Sequence, residues 1–390
     1  MSLYKPAVVV VAFNRVEALK RLLSSLAKAD YPDQQVPLVI SIDNDQNRNK
    51  DVVEAANSFQ WTHGEKKVIY QETNLGLRAH ILKCGDLTQE YGSIVLLEDD
   101  LFVSPMFYRF ASEALNYYSD DARIAGASLY SIATNTFARL PFTPMEDGSD
   151  VFFINQPCSW GQAWADNQWI QFRNWVDNNP PLAEEDYLYP ESVKHWSPHS
   201  WLKFYIKFLA ENGKYFVYPR VSMSTNFGDA GTNFGIPRYT VFQVKLQVGK
   251  DPFRFRPIDE SLAVYDAYME LEKQALDRIV PELAPYDYTV DMYGIKPLER
   301  FDCSHVITTQ PVQQSIRSFG MQLKPFEMNL FCGLEGNKIH LADKAHIQMD
   351  QSYALQKYLY FYSNVPERVI KHLYKNSFKL KVQRRLKWLK

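Results

Sequence analysis

Three consecutive carboxylates, Glu98, Asp99 and Asp100, are the residues of this sequence best suited to chemistry. Carboxylates at this spacing repel one another, so a fold tolerates them chiefly where water or a cation offsets their charge. Mg²⁺ and Mn²⁺ prefer oxygen ligands and leave coordination positions open for phosphate oxygens. The triplet therefore predicts either a divalent cation that bridges a diphosphate or a solvated turn before a helix that begins near Ser104.

Further polar residues follow two earlier apolar runs. Arg15 comes after the run at 7–13, and its guanidinium offers paired donors to a phosphate or to a surface carboxylate. Asp43 ends the run at 36–43, where it can accept a hydrogen bond from a nucleoside or belong to a polar turn. Each residue alone is compatible with a structural role. They indicate a binding site only if the fold places them close together.

A loop rich in glycine and asparagine and a tryptophan-rich segment form a third group of candidates. The loop at 224–235 holds three glycines, which is typical of a segment that closes over a ligand and also of an ordinary surface connection. Tryptophans at 160, 164, 169 and 175 can stack on sugar rings, but helical spacing favours the core for most of them.

The elements that must position these residues alternate along the first hundred positions. Continuous β-branched runs predict strands at 7–13, 36–43, 67–71 and 93–97, and helical periodicity predicts helices at 16–27, 51–58 and 77–89. This order predicts right-handed βαβ units and an open α/β sheet. Ligands of such sheets bind beyond the carboxyl ends of the strands, so the polar residues there should line one crevice. Farther on, we predict a long loop at 131–150 and a helix at 261–280.

Composition narrows the classes of protein that fit. The 390 residues suit about two domains, and 46% hydrophobic with 23% charged residues argues against disorder. A net charge of -2 excludes a chain built to coat nucleic acid, and we expect no nucleic-acid partner. Four cysteines without CxxC spacing exclude a cysteine-ligated zinc knuckle and favour a reducing compartment. The first apolar run is too short for a signal peptide or a membrane span, so we expect a cytoplasmic protein.

The segment 366–390 is strongly basic. It holds nine Lys and Arg residues against the single acid Glu367, with apolar residues interleaved. This pattern predicts peripheral contact with the inner face of the plasma membrane, which would bring a lipid-linked glycan within reach. A solvated tail helix and an RNA-binding tail are the alternatives.

Several segments, in this order, resemble a GT-A glycosyltransferase. The likeness covers about residues 7 to 236, and it is to the family of metazoan N-acetylglucosaminyltransferase I and to bacterial family-2-like enzymes. The pairing of Glu98–Leu101 with Ser104–Tyr108 is the most specific part. The matching segments are 10–15, 39–43, 74–80, 94–101, 104–108 and 226–235.

The resemblance implies both a fold and a reaction. The fold is a Rossmann-like open mixed sheet of the GT-A class over residues 1–236, followed by an α+β extension over 237–390. The reaction is a metal-dependent, inverting transfer of a sugar from a nucleotide diphosphate donor, such as UDP-GlcNAc. The acceptor is a hydroxyl of a surface polysaccharide or glycolipid.

The resemblance also implies roles for individual residues. Asp100 would coordinate Mn²⁺ or Mg²⁺, and the remaining roles concern the donor. Glu98 and Asp99 would contact the ribose or the sugar, and Asp43 and His80 would contact the uracil or the ribose. Arg15 would contact a phosphate. The loop that contains Phe227 and Gly228 would close over the donor.

The general base is left open by the sequence. Where the eukaryotic family has an Asp pair before a Trp, this chain reads His199-Ser200-Trp201. An imidazole can accept a proton near neutral pH, so His199 is one candidate. Asp166, at the end of the tryptophan-rich segment, is the other.

Two rival functions share some of these features. A sugar nucleotidyltransferase of the same fold normally has a glycine-rich loop after the first strand, and residues 12–15 contain no glycine. A non-catalytic glycan-binding protein would use the tryptophans as stacking platforms. Turnover of a UDP-sugar distinguishes an enzyme from this second rival.

Overall fold

The computed structural model describes residues 3–32, 35–46, 48–178, 182–183, 185–229, 242–348 and 353–375, the last range with gaps at 364, 367, 370, 373 and 374. Most of the basic segment 366–390 and the loop residues 230–241 therefore lie outside the described residues.

The described residues form strands and helices in alternating order. The strands are β1 Ala7–Ala12, β2 Leu38–Ile42, β3 Lys66–Tyr70, β4 Ser93–Glu98, β5 Leu101–Val103, β6 Ile124–Ser128, β7 Thr134–Asn135, β8 Leu140–Pro141, β9 Val151–Ile154, β10 Gln162–Ala165, β11 Tyr215–Pro219, β12 Ser224–Asn226, β13 Val264–Tyr265, β14 Tyr288–Asp291, β15 His305–Thr308, β16 Arg317–Phe319 and β17 Ile339–Asp343. The helices are α1 Val16–Leu26, α2 Lys50–Ser58, α3 Gly76–Gly85, α4 Thr88–Tyr91, α5 Phe107–Tyr117, α6 Asp166–Asn178, α7 Leu202–Glu211, α8 Lys273–Ile279, α9 Glu327–Phe331 and α10 Tyr353–Tyr362.

A nine-stranded mixed sheet forms the centre of the molecule. Its strand order is β13-β9-β11-β6-β10-β4-β1-β2-β3. β1 pairs in parallel with β2 and β4, and β3 pairs in parallel with β2, whereas β10 runs antiparallel to β4 and β6. The predicted open mixed α/β sheet is confirmed.

Hydrophobic patterning explains the first half of this sheet. Every residue of β1 and β2 is buried, as expected for parallel strands that are covered on both faces. Helix α1 buries Leu19, Leu22, Leu23 and Leu26 at helical spacing against the sheet. These local signals act in the same direction, so the predicted boundaries are close to the observed ones.

The predicted helix at 261–280 is wrong in its first half. Val264 and Tyr265 form β13 and pair in parallel with β9 at the edge of the large sheet. Only α8 is helical in this region. Pairing with a distant strand overrides the local periodicity here, because strand preference depends on what the pleated surface packs against.

The three polar strand ends lie on one edge of the sheet. β1, β2 and β4 are parallel, so their carboxyl ends carry Arg15, Asp43 and Glu98 to the same side. After Asp100 the chain continues as β5, which pairs with β12 so that Leu101 lies opposite Asn226. The start of the predicted loop is thereby brought beside the acidic triplet.

The C-terminal extension has its own four-stranded sheet, in the order β14-β15-β17-β16. Its buried side chains belong to the same hydrophobic cluster as those of the large sheet. The division of the chain at residue 236 stays a prediction. No helix built from the described residues is long and apolar enough to cross a membrane.

Candidate active site

The acidic triplet and Arg15 are in direct contact at the carboxyl end of β4. Arg15 Nη1 donates to Asp100 Oδ2 over 3.0 Å, and Nη2 of the same guanidinium binds Asp99 Oδ1. Asp99 is 2% exposed, and the Asp100 side chain is 17% exposed. The polar ends of β1 and β4 are therefore in contact, and the prediction that all three strand ends line one crevice stays a prediction.

Burial makes this cluster retain protons. It raises the pKa of Glu98 to about 8, with a further contribution from the charges of Asp100 and Asp99 and an opposing one from Arg15. Burial also raises the pKa of Asp99 to about 6, although Arg15 counteracts the increase. The cluster thus holds more acid groups than one guanidinium neutralises, and a second cation there would favour their ionised forms.

Two oxygens of the cluster have no partner. Among the described residues, Asp99 Oδ2 and Asp100 Oδ1 are buried and accept no hydrogen bond. Buried polar atoms are normally paired, and carboxylate oxygens are the ligands that hard divalent cations prefer. Within the same residues, no group of three or more His, Cys, Asp or Glu could hold a metal alone. The two oxygens fit a Mg²⁺-type or Mn²⁺-type cation that takes its other ligands from substrate phosphates and water.

Asp43 fixes the turn that leads into α3. It is 4% exposed, and its Oδ1 accepts the backbone N–H groups of Asn44 and Leu75 at 2.9 and 2.8 Å. Its Oδ2 accepts the N–H of Gly76 at 3.0 Å, and Gly76 has a φ of +73° that favours glycine. The carboxylate therefore shapes the sheet edge, and its predicted contact with a nucleoside stays a prediction.

His80 lies beneath this edge and is only 2% exposed. Its Nε2 is 2.7 Å from Ser41 Oγ, which also accepts a hydrogen bond from the Gln71 side chain at 3.0 Å. Burial lowers the pKa of His80 to about 4, despite the opposing charge of Asp43. The ring is thus neutral near pH 7 and packs beneath the strand end that carries Asp43. Its predicted contact with a ribose or uracil stays a prediction.

The first residues of the predicted donor loop lie beside the triplet. Asn226 Oδ1 accepts the backbone N–H of Gly228 at 2.6 Å, and Gly228 has a φ of +65°. The Phe227 side chain is 44% exposed and lies 5.9 Å from the ring of Phe102 on β5. The rest of the loop falls within 230–241, outside the described residues.

Arg21 is a site residue that the sequence prediction missed. Its guanidinium carbon lies 3.9 Å from the centroid of the Phe227 ring, and it forms an ion pair with Asp229. Arg21 is on α1, outside the apolar positions of that helix, so the sequence alone suggests an ordinary surface residue. Its partner is 208 positions away, and no local signal connects the two.

The two candidate bases lie at different ends of the sheet. Asp166 donates its backbone N–H to Gly92 O, at the start of β4 and therefore at the opposite end from Glu98. The reason is that β10 runs antiparallel to β4, a reversal that the sequence pattern does not reveal. The structure does not bring Asp166 together with the triplet.

His199 lies toward the edge that carries the triplet. It precedes α7, which leads into β11, and β11 starts beside Ile124, the first residue of β6. The end of α7 therefore lies near the amino ends of the parallel strands, where β11 starts. The beginning of α7 is directed toward the other edge of the sheet, where the parallel strands have their carboxyl ends. His199 is exposed and donates its backbone N–H to Ser197 Oγ.

The tryptophan-rich segment divides between the core and this edge. Trp164 and Trp169 are fully buried, which confirms the core interpretation for both. Trp160 is half-buried, its ring lies 4.7 Å from Tyr130 and from Phe242, and its carbonyl accepts the Ser224 hydroxyl. It therefore contributes an aromatic surface next to β12.

Part of the chain matches the sequence model of a known family. Residues 7–171 match the sequence model of "Glycosyl transferase family 2", and this segment contains Arg15, Asp43 and the acidic triplet. No curated protein matches the chain. The match does not bear on the likeness to N-acetylglucosaminyltransferase I, which stays a prediction.

Solved structures of low sequence identity are also similar. A 1–349 fragment of S. aureus TarS in complex with UDP is 14% identical, with a TM-score of 0.35, and the similarity covers 56% of this chain and 59% of that one. The same fragment with UDP-GlcNAc is 12% identical, with a TM-score of 0.35 and coverages of 60% and 59%. The mannosyltransferase PcManGT from Pyrobaculum calidifontis, in complex with GDP-Man and Mn²⁺, is 12% identical, with a TM-score of 0.30 and coverages of 42% and 46%. The chain thus spans less than two thirds of each of these proteins.

Proposed function

We propose, because residues 7–171 match the sequence model of "Glycosyl transferase family 2", that the whole chain is a glycosyltransferase. The protein transfers a sugar from a nucleotide diphosphate donor to a hydroxyl group of a glycan. The observation that carries the proposal is the pair of unpartnered, buried carboxylate oxygens beside Arg15 at the carboxyl edge of the sheet.

In this proposal, Asp100 holds a divalent cation, Mn²⁺ or Mg²⁺, as the resemblance implies, and the unpartnered Oδ2 of Asp99 leads us to add this residue as a second ligand instead of a ribose or sugar contact. When bound, the cation stabilises the negative charge that develops on the leaving diphosphate. Arg15 keeps the two carboxylates in position and offers its remaining donors to a phosphate oxygen. Asp43 orders the turn at 74–76 against which we place the nucleoside.

The reaction itself is an inverting displacement. The acceptor oxygen forms a bond to the anomeric carbon while the bond from that carbon to the diphosphate oxygen breaks, and the hydroxyl proton passes to a base. We propose His199 for this base rather than Asp166, because Asp166 is bonded to Gly92 at the far end of β4. Phe227 and Gly228, with Arg21 behind them, border the donor.

The finer assignments rest on the sequence resemblance. We propose a UDP-sugar such as UDP-GlcNAc as donor and a surface polysaccharide or glycolipid as acceptor. A cytoplasmic protein whose segment 366–390 contacts the membrane surface would reach a lipid-linked acceptor. We also keep the division into a donor-binding domain over 1–236 and an extension over 237–390 as part of this proposal.

A turnover assay tests the proposal. Purified protein is incubated with UDP-GlcNAc, and UDP release is measured with Mn²⁺ and with EDTA, with and without chitotriose as a probe acceptor. We expect release that requires the metal and is lost in Asp100→Asn but kept in Asp120→Asn, a matched change of an exposed acid. Release that is equal with EDTA and in Asp100→Asn would contradict the assigned metal role. Absence of turnover with bound UDP-GlcNAc would favour the non-catalytic rival.

A further inference from the structure

A second cavity lies in the C-terminal extension, between β8, α9 and α10. Its volume is about 410 Å³, within the range of small-molecule sites. Among the described residues, none of the acidic triplet and none of 224–229 lines this cavity. Six aromatic side chains line it: Phe142, Tyr293, Phe326, Tyr360, Phe361 and Tyr362.

The aromatic walls are held in place by contacts with one another and with the backbone. Phe326 stacks on Tyr360 with ring centroids 4.9 Å apart, and Tyr293 stacks on Phe361 at 6.0 Å. The Tyr293 hydroxyl donates to Pro141 O at 3.0 Å, and the Tyr360 hydroxyl donates to Leu323 O at 2.5 Å. Since these two hydroxyls are engaged and each stacked ring has one face against its partner, the remaining apolar ring surface and the exposed Tyr362 are what these walls offer a ligand.

One acidic group lies among these rings. Glu327 lines the cavity and is 5% exposed, and no lysine or arginine of the described residues forms an ion pair with its carboxyl group. Lys324 also lines the cavity, but it is exposed and donates to Phe361 O at 3.1 Å. Burial raises the pKa of Glu327 to about 7, so near neutral pH the group exists in part as an acid that can both donate and accept hydrogen bonds.

This combination restricts the ligand. An alkyl chain would cover Glu327 and add no hydrogen bond to the one that its carboxyl group accepts from its own backbone N–H, which is costly for a buried acid. A phosphate or another polyanion would face the carboxyl group of Glu327, and Lys324 is the one basic residue among the described residues that line the cavity. A pyranose presents C–H faces to aromatic rings and hydroxyl groups to a carboxyl group, and so matches both parts of the cavity.

We propose that this cavity binds a pyranose unit of the glycan acceptor, at a site separate from the transfer site. The proposal rests on the proposed function for the identity of the glycan as acceptor, but saccharide binding itself is independent of turnover. A second contact of this kind would hold a growing chain on the enzyme between transfers and raise the effective concentration of its acceptor end.

Calorimetric titration with chitotriose, cellotriose and maltotriose tests the inference on the full-length protein. We expect at least one of the three to bind the wild type. Thr143→Trp, at the exposed edge of the cavity, should weaken that binding at least tenfold, because the indole fills the entrance. Thr62→Trp, a matched change at an exposed loop position outside the cavity, should leave it unchanged.

A second variant separates binding from folding. Glu327→Met keeps the volume but removes the hydrogen bonds, so saccharide binding should fall at least tenfold while the thermal midpoint of unfolding stays equal or rises.

Binding of UDP with Mn²⁺ should persist in Thr143→Trp and Glu327→Met, and saccharide binding should persist in Asp100→Asn. If saccharide binds while UDP does not, the donor assignment fails and the cavity assignment stands. Failure of all three saccharides to bind, binding of dodecanol instead, or binding unchanged in both cavity variants would overturn the inference.

Discussion

Two clusters of buried acids among the described residues lie around basic side chains, Arg15 in one and Lys296 with Lys357 in the other, and they differ in how far their oxygens are satisfied. At the carboxyl end of β4, Arg15 lies beside Glu98, Asp99 and Asp100, and two of the carboxylate oxygens have no hydrogen-bond partner among the described residues. In the extension, the Lys296 side chain, 3% exposed, pairs with Asp266 at 2.5 Å close to the buried acids Glu270 and Asp291.

The acids of the extension each accept hydrogen bonds from the chain itself. Asp291 accepts the backbone N–H groups of Ile295 and Lys296 at 2.8 and 3.1 Å and the Gln310 side chain at 3.2 Å. Glu270 accepts the N–H of Tyr293 at 2.5 Å. The comparison teaches that a buried acid cluster indicates a ligand only where its oxygens remain unsatisfied, and a structural role where the backbone satisfies them.

The largest effect that this comparison predicts is on turnover. Asp100→Asn should lower the transfer rate by about 10³-fold, equivalent to about 4 kcal/mol of transition-state stabilisation, because a ligand of the proposed cation is lost. The free energy of unfolding should change by less than about 1 kcal/mol, since a repelling charge is removed. Steady-state kinetics and urea unfolding of the same preparation measure both quantities. A destabilised variant with normal turnover per folded molecule would reverse the assignment.

The opposite pattern is expected in the extension. Lys296→Met should lower the free energy of unfolding by about 3 kcal/mol, because Asp266 loses its ion-pair partner and Glu270 and Asp291 keep only Lys357 as a nearby cation. Urea unfolding at pH 7 measures the change. Lys20→Met, which removes an exposed pair with Glu17, is the matched control and should cost less than about 1 kcal/mol. Equal effects of the two substitutions would remove the distinction between buried and exposed pairs.

Glu327 provides a pH-dependent test, because it is a buried acid that forms no ion pair with any lysine or arginine in the part of the chain that the structure describes. Its pKa of about 7 in the folded state lies above the value of about 4.3 expected for an unfolded chain. Between these values the folded state keeps a proton that the unfolded state releases, so this group makes stability fall as the pH rises from about 4.5 to 7. In the wild type, this group should lower the free energy of unfolding by up to about 3 kcal/mol over this pH range, and Glu327→Gln should abolish that decrease.

Urea unfolding at pH 4, 6 and 8 gives the stability curves. Glu299→Gln, at an exposed position, serves as control and should give a curve parallel to that of the wild type. A Glu327→Gln curve that also runs parallel to the wild type would show that this carboxyl group does not titrate as described.

The smallest effect concerns the geometry of the guanidinium. Arg15→Lys keeps the positive charge but cannot bind Asp99 and Asp100 at once through two donors. We expect UDP affinity in the presence of Mn²⁺ to fall about tenfold, equivalent to about 1.4 kcal/mol. Arg48→Lys, at an exposed pair with Asp45, should leave the affinity unchanged. An unaltered affinity in Arg15→Lys would mean that charge alone suffices at this position.

The first half of the sheet was predictable because its signals are local. The valine run at 7–13 became β1, and the leucine spacing after Val16 became α1, with boundaries that differ by only one residue. Parallel strand order then placed Arg15, Asp43 and Glu98 on one edge. Here the hydrophobic pattern, the connection rules and the positions of polar residues all point to the same architecture.

The remainder depends on contacts that no local pattern records. The reversal of β10 moved Asp166 to the far end of the sheet, and the pairing of β13 with β9 replaced the first half of a predicted helix. Arg21 reaches Asp229 across 208 positions, and the acids around Lys296 come from separate elements. Strand direction and long-range pairing are tertiary properties, so residue spacing alone does not determine them.

The most direct measurement is calorimetric titration of UDP with and without Mn²⁺, on the wild type and on Asp100→Asn. If the two unpartnered oxygens of Asp99 and Asp100 hold the cation, UDP binds the wild type at least tenfold more tightly with Mn²⁺, and the substitution abolishes this difference. UDP affinity that is independent of Mn²⁺ in the wild type, or a metal effect that survives in Asp100→Asn, would contradict the assignment.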